Sequence, residues 1–223
     1  MTEIKIKKKL ILLNFLILFF IGCKNLKKAS IQGAVVSARQ EASKIGVEIL
    51  KKGGNAFDAM VATSFALTVV FPNAGNITGG GFMVYRTSNG EFGSLDYRET
   101  APLSSSEDMY LDKSGKVIGD LSRTGGLAVG VPGSVAGILE VHKKMGSLPL
   151  ADLIQPSIEL AKEGFMVTEK QSESLNSKRD EFIKVNGDKT FYGKTFKKGD
   201  LIKNPNLAKA LNEILKYGNK GFY

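Results

Sequence analysis

The chain has 223 residues with 31 basic and 22 acidic side chains, a formal charge of +9, and is long enough for one domain with a sizeable core. Its basic residues past the N-terminal head are dispersed among acids, with no stripe interleaved with aromatics, which argues against nucleic acid as a partner. One cysteine and one histidine leave no internal disulfide and argue against a Cys/His zinc site or a histidine-assisted catalytic triad.

Lys5, Lys7, Lys8 and Lys9 form a cationic head, followed by Leu10 to Ile21, in which only Asn14 is polar. A helix takes about 20 apolar residues to cross a bilayer, so this run is short for a permanent span and has the anatomy of a signal peptide. It ends Phe20-Ile21-Gly22-Cys23, which resembles a bacterial lipobox, with Phe20 where leucine is commoner. Residues 1–22 are therefore expected to leave on export, Cys23 to carry lipid and residues 23–31 to serve as a tether. Lys24, Lys27 and Lys28 in that tether suit anionic headgroups. The expected location is the cell envelope, on the periplasmic or cell-surface side.

Residues 32–223 read as a single α/β unit without internal repeats. Ala34 to Ser37 suggests a buried strand, and Ala38, Ala42, Ile45 and Ile49 then mark one face of a helix. Gly53-Gly54 ends that helix, and Asn55 with Asp58 three residues on forms an approximate capping box for the next. Its body, Ala56 to Val70, is almost wholly apolar, so it must be buried on most of its surface, and its small residues admit a close neighbour. After Pro72 comes a loop, Asn73 to Gly81. A hairpin follows from Phe82 to Arg86 and Phe92 to Tyr97, turning at Asn89-Gly90. Ser104 to Asp108 opens a short predicted helix, and Leu127 to Val131 is strand-like. Pro132 starts a helix carrying Val135, Ile138, Leu139 and Met145. Three more helices are predicted over Leu150–Lys162, Glu169–Val185 and Asn206–Tyr217.

Two segments stand out as candidate sites. Gly79-Gly80-Gly81 closes the 73–81 loop, and three consecutive glycines give up backbone entropy without side-chain packing in return. They suit a cradle for a substrate or anion, or a tight entry turn into the hairpin. No Gly-Lys-Ser/Thr follows, and the spacing is not that of a dinucleotide fingerprint. The second segment is Asp96 to Pro102. Arg98 stands at the end of a predicted strand, where its fork suits two parallel hydrogen bonds to a carboxylate, or an ion pair with Asp96 or Glu99. His142, between Val141 and two lysines near a helix end, suits a contact with solvent or the helix terminus. No Ser-Lys or threonine-nucleophile motif is visible.

Five blocks of the sequence resemble one family. They are Gly46 to Ala59, Asn76-Ile77-Thr78-Gly79-Gly80-Gly81-Phe82, Asp96-Tyr97-Arg98-Glu99-Thr100-Ala101-Pro102, Gly130 to Gly137, and Gln155 to Phe165. In order and spacing they resemble the large subunit of the gamma-glutamyltransferases, also called glutathione hydrolases. The resemblance implies an N-terminal-nucleophile hydrolase fold of the α/β (α+β) class, an αββα sandwich of two stacked sheets between helical layers. It implies a precursor that cuts itself and a small subunit that starts with the catalytic threonine. A gamma-glutamyl group passes from glutathione, or another gamma-glutamyl donor, to water or to an amino-acid or peptide acceptor.

On that resemblance Arg98 binds the glutamyl α-carboxylate, Glu99 is its acidic neighbour, and Gly79, Gly80 and Gly81 shape the loop beside the site. No metal or organic cofactor is implied. The nucleophile and oxyanion donors belong to the small subunit, so no catalytic residue is expected in residues 32–223, which read as a partial large-subunit domain. The ending Gly221-Phe222-Tyr223, without polar trail-off, fits an interrupted chain with an incomplete sandwich. Two other readings are a non-catalytic surface lipoprotein of the same fold and an acylase relative acting on another amide.

Overall fold

The computed structural model describes residues 33–223; the signal segment, Cys23 and the tether expected from the sequence lie outside the described residues. In chain order the elements are helices α1 (Gln40–Lys51) and α2 (Ala56–Val70), strands β1 (Phe82–Arg86) and β2 (Phe92–Asp96), helices α3 (Ser134–Met145) and α4 (Leu150–Glu163), strand β3 (Phe165–Met166), helices α5 (Glu169–Ser177) and α6 (Arg179–Asn186), strand β4 (Leu201–Ile202) and helix α7 (Pro205–Tyr217). Three short 3-10 turns complete the set, one of them Gly126–Ala128.

Helix α2 is the axis of the core. Its apolar residues bury on most sides, with Val61, Ala62, Phe65, Ala66 and Val70 wholly inaccessible. Helices α1, α3 and α4 pack around it, and α7 packs on the far side of α4. Gly46 of α1 sits directly on Thr63 of α2, where a Cβ would also run into Val35. Helix α7 inserts Leu211 and Ile214 into the same core.

The predicted cap of α2 is complete. Asn55 Oδ1 accepts from the amides of Phe57 and Asp58 at 2.8 and 3.0 Å, and Asp58 Oδ2 accepts from the Asn55 amide at 2.9 Å. Asp58 is fully buried and also accepts from the Ser147 amide (2.9 Å), the Ser147 hydroxyl (2.5 Å) and the Leu148 amide (3.3 Å). Burial pushes its carboxyl up, but these hydrogen bonds to Ser147, Asn55 and Leu148 outweigh that and hold it below the usual value. One side chain thus caps α2 and ties the α3–α4 connection to it.

The strands form two antiparallel two-stranded ladders, β1–β2 and β3–β4. In the hairpin Phe82 faces Asp96, Val84 faces Ser94 and Arg86 faces Phe92. Met83 and Tyr85 turn inward against the core, while Phe82, Val84 and Phe92 leave 64%, 85% and 78% of their surface exposed. The fold is therefore helices on one side of a hairpin whose other face is bare among the described residues.

Four expectations need correction. Residues 34–37 form no strand: Val36 is exposed, and the Ser37 hydroxyl donates to the Arg39 carbonyl in the turn entering α1. Ser104 to Asp108 is a set of turns, because Ser105 N–H closes a turn on the Pro102 carbonyl and Met109 N–H closes another on that of Ser106. Leu127 to Val131 forms a 3-10 turn plus a single bridge from Val131 to Thr100. The predicted helix Glu169–Val185 breaks at Lys178, whose amide bonds the Leu175 carbonyl three residues back. The break leaves Gln171 and Leu175 of α5 buried and turns Phe182 of α6 onto the Tyr192 ring, 5.3 Å away.

Candidate functional site

The two segments singled out in the sequence meet at one place, and a third joins them. Past the end of β2 the chain runs on extended. Gly81 N–H donates to the Tyr97 carbonyl (3.3 Å) and Tyr97 N–H to the Gly81 carbonyl (3.0 Å), so the hairpin gains one more rung. Three residues later Thr100 and Val131 exchange amide hydrogen bonds of 3.2 and 2.8 Å. Arg98 and Glu99 therefore lie on a strip held at both ends by paired backbone bonds, to the glycine loop before them and to the approach of α3 after them.

Each glycine of the loop has its own reason. Gly79 presents its carbonyl to the amides of Gly133 and Ser134, both at 2.9 Å, and so satisfies two of the unpaired donors at the start of α3. The N-cap Gly133 has no side chain to do this. Gly80 crosses the strip itself: a Cβ there would stand 2.6 Å from the Glu99 amide nitrogen and 2.8 Å from Arg98 Cα. Gly81 faces the Tyr97 ring, where a Cβ would meet Cε2 at 2.8 Å. Close backbone approach thus explains the run.

Arg98 and Glu99 are exposed. Asp96 accepts the Arg98 backbone amide on Oδ1 at 2.9 Å. Among the described residues neither Arg98 nor Glu99 takes part in an ion pair. The Glu99 carboxylate lies over the loop, 2.5 Å and 3.7 Å from where Cβ atoms on Gly80 and Gly79 would stand. The arrangement presents a guanidinium whose donors are open among the described residues, beside a carboxylate, on a main chain that has little room to move.

His142 is elsewhere, its Nε2 2.9 Å from the Leu148 carbonyl near the end of α3. Two open clefts of about 630 and 650 Å³ also lie elsewhere, one between Arg123 and Phe182, the other between Arg39 and Leu175. Among the described residues no three His, Cys, Asp or Glu side chains gather as metal ligands.

Sequence reasoning treated Tyr97, Gly133 and Gly137 only as parts of matching blocks. In the fold Gly133 lies against the Tyr97 carbonyl and Gly137 against the Tyr97 ring, both closer than a Cβ would permit. A glycine inside a helix body, as at 137, weakens the helix unless a neighbour needs the space. That was the signal available.

Mixed helices and hairpin, with a glycine loop crossing an arginine-bearing strip, fit the large-subunit side of the N-terminal-nucleophile hydrolase fold that the sequence resemblance implies. The matching structures bear this out: the crystal structure of gamma-glutamyltranspeptidase from Helicobacter pylori superposes with a TM-score of 0.83 at 45% identity, covering 89% of this chain and 58% of that one. The gamma-glutamyltranspeptidase family profile matches residues 42–223, and the chain belongs to that family. The glutathione hydrolase proenzyme of Pseudomonas aeruginosa is 46% identical over 200 residues, 87% of this chain and 35% of the relative. A more distant likeness, at 29% identity and a TM-score of 0.73, is to a cephalosporin acylase from Bacillus halodurans, covering 82% of this chain and 35% of that one. The chain spans about a third of the length of the curated relatives it matches.

Proposed function

We propose that this chain supplies the glutamate-recognising part of an enzyme that transfers or hydrolyses the gamma-glutamyl group of glutathione and related amides. Arg98 grips the α-carboxylate of the donor through two parallel hydrogen bonds, with Glu99 orienting the site and Gly79 to Gly81 fixing the loop beside it. The nucleophile, a threonine at the head of a second segment, attacks the gamma-carbonyl. Its own α-amine takes the hydroxyl proton, which then passes to the departing amine. Donors aimed at the tetrahedral oxyanion come from the same second segment. Water or an amino-acid or peptide acceptor then releases the glutamyl group. The observation that carries this reading is the exposed Arg98, unpaired among the described residues, on a strip held by backbone bonds at both ends.

The test is Arg98→Lys in the assembled, full-length enzyme. Lysine keeps the charge and loses the fork, so at least one charge-assisted hydrogen bond goes. KM for gamma-glutamyl donors is expected to rise about 10- to 100-fold, with self-cleavage largely spared. An unchanged KM would remove Arg98 from the donor site. The likeness to the cephalosporin acylase favours a second reading, an acylase of the same fold. On that reading Arg98→Lys leaves the KM of a substrate without an α-carboxylate where it was.

We further propose that the protein is exported and anchored by lipid on Cys23, from the head, apolar run and lipobox-like ending of residues 1–23. Cys23→Ala is expected to move the protein out of the membrane fraction. Equal retention of the variant would mean that the N-terminal apolar run is itself the anchor.

A further inference from the structure

We propose that Tyr97 is a positioning residue for Arg98, its ring locked in a glycine socket so that the arginine next to it has one direction of exit. The proposal rests on the reading of Arg98 as the carboxylate-binding residue. Successive side chains of an extended chain point to opposite faces. Where residue 97 is pinned inward, residue 98 is held outward.

The pin is tight. Gly81 lies against the outer end of the ring, where a Cβ would stand 2.8 Å from Cε2 and 3.0 Å from Cζ and the hydroxyl; Gly137, inside α3, lies against its base, where a Cβ would overlap Cγ. Burial pushes the Tyr97 phenol up, as it does for a ring withdrawn from solvent. The peptide unit joining Tyr97 to Arg98 is held as well. Its carbonyl accepts from Gly81 N–H at 3.3 Å and rests against Gly133, and its N–H donates to Asp96 Oδ1 at 2.9 Å. Ring, carbonyl and amide are thus fixed by three different segments: the glycine loop, α3 and the end of β2. Rotation of the strip that would carry Arg98 out of line has to expel the ring first.

The glycine at 137 fits this account. It sits within α3, where alanine is the better helix former. The space it leaves is filled by the Tyr97 ring.

The test uses the assembled, full-length enzyme with a chromogenic gamma-glutamyl anilide. Tyr97→Phe keeps the ring and is expected to stay within about twofold of wild type in KM and kcat. Tyr97→Ala is expected to raise KM at least about tenfold while kcat at saturation falls less than about threefold, the pattern of lost ground-state binding. Placed on Arg98→Ala, the Tyr97→Ala change is expected to add little to KM, because the group it positions is gone. If Tyr97→Ala gives no soluble enzyme, Tyr97→Leu refills the socket without a flat ring and carries the same expected rise. A folded Tyr97→Ala or Tyr97→Leu with wild-type KM overturns the proposal, as does a full additional rise on the Arg98→Ala background. If Arg98→Ala itself leaves KM unchanged, the reading of Arg98 fails first, and the two failures are told apart.

Discussion

Residues 23–223, produced without further polypeptide, are expected to release no anilide from a chromogenic gamma-glutamyl substrate. On the proposed mechanism the nucleophile is a threonine with both a hydroxyl and a free α-amine, so it must head a chain. The described threonines are internal, and several of their hydroxyls are engaged in local structure. Thr68 donates to the Phe65 carbonyl, Thr78 to Asn76 Oδ1, and Thr87 to the Glu91 carbonyl. Thr63 is buried against Gly46. The lone histidine faces the Leu148 carbonyl.

The bare outer face of the hairpin adds a second expectation for the same material. Phe82, Val84 and Phe92 form an exposed apolar surface on two strands that pair only with each other among the described residues. Such a surface favours self-association. Light scattering is therefore expected to rise on concentration. Turnover above an Arg98→Ala control, in material free of host enzyme, would show a nucleophile within these residues and overturn the division of labour proposed here.

Gly133→Ala is expected to be the most damaging single methyl in the described fold. Gly133 has φ −107° and ψ −20°, a conformation that alanine adopts freely, so any cost is steric. The added carbon would overlap the Tyr97 carbonyl oxygen and lie 2.7 Å from its carbon and 3.0 Å from the Arg98 carbonyl oxygen. These are main-chain atoms held by hydrogen bonds, with no rotamer to change. Overpacking a tight site costs about 1–3 kcal/mol and sometimes more, and a backbone obstacle belongs at the top of that range. Three kcal/mol is about 6–12 °C in Tm for a chain of 150–250 residues and less for a longer one. Gly126→Ala is the control, since nothing lies within 4 Å of a Cβ there and its backbone is not left-handed. It is expected to leave Tm within about 1 °C. Thermal unfolding of the full-length protein decides the matter: equal midpoints for the two variants would mean that the strip yields freely.

Much of this molecule is legible along the chain. The apolar body of α2, its Asn55–Asp58 capping box, the Asn89-Gly90 hairpin and the face of α7 each rest on interactions within about four residues or on a strict periodicity. Local rules therefore suffice for them. The family follows from the same residues, because glycines and an arginine strip recur as blocks in fixed order. The misread elements share a physical cause. Ala34 to Ser37 has strand-like residues but, among the described residues, no strand to pair with, and Glu169 to Val185 has helical composition with a break that serves packing between Phe182 and Tyr192. Composition at these places is compatible with several local structures, and a contact distant in the chain, or its lack, selects one.

The site shows the same division more sharply. Arg98 is conspicuous as a residue, but its setting depends on Gly80 crossing it, Val131 pairing beside it and Gly133 pressing from α3. Gly133 and Gly137 are separated from Tyr97 by more than thirty residues and act by having no side chain. A glycine in a sequence records that space is needed. Which ring or carbonyl fills that space is known only once the chain has folded back on itself.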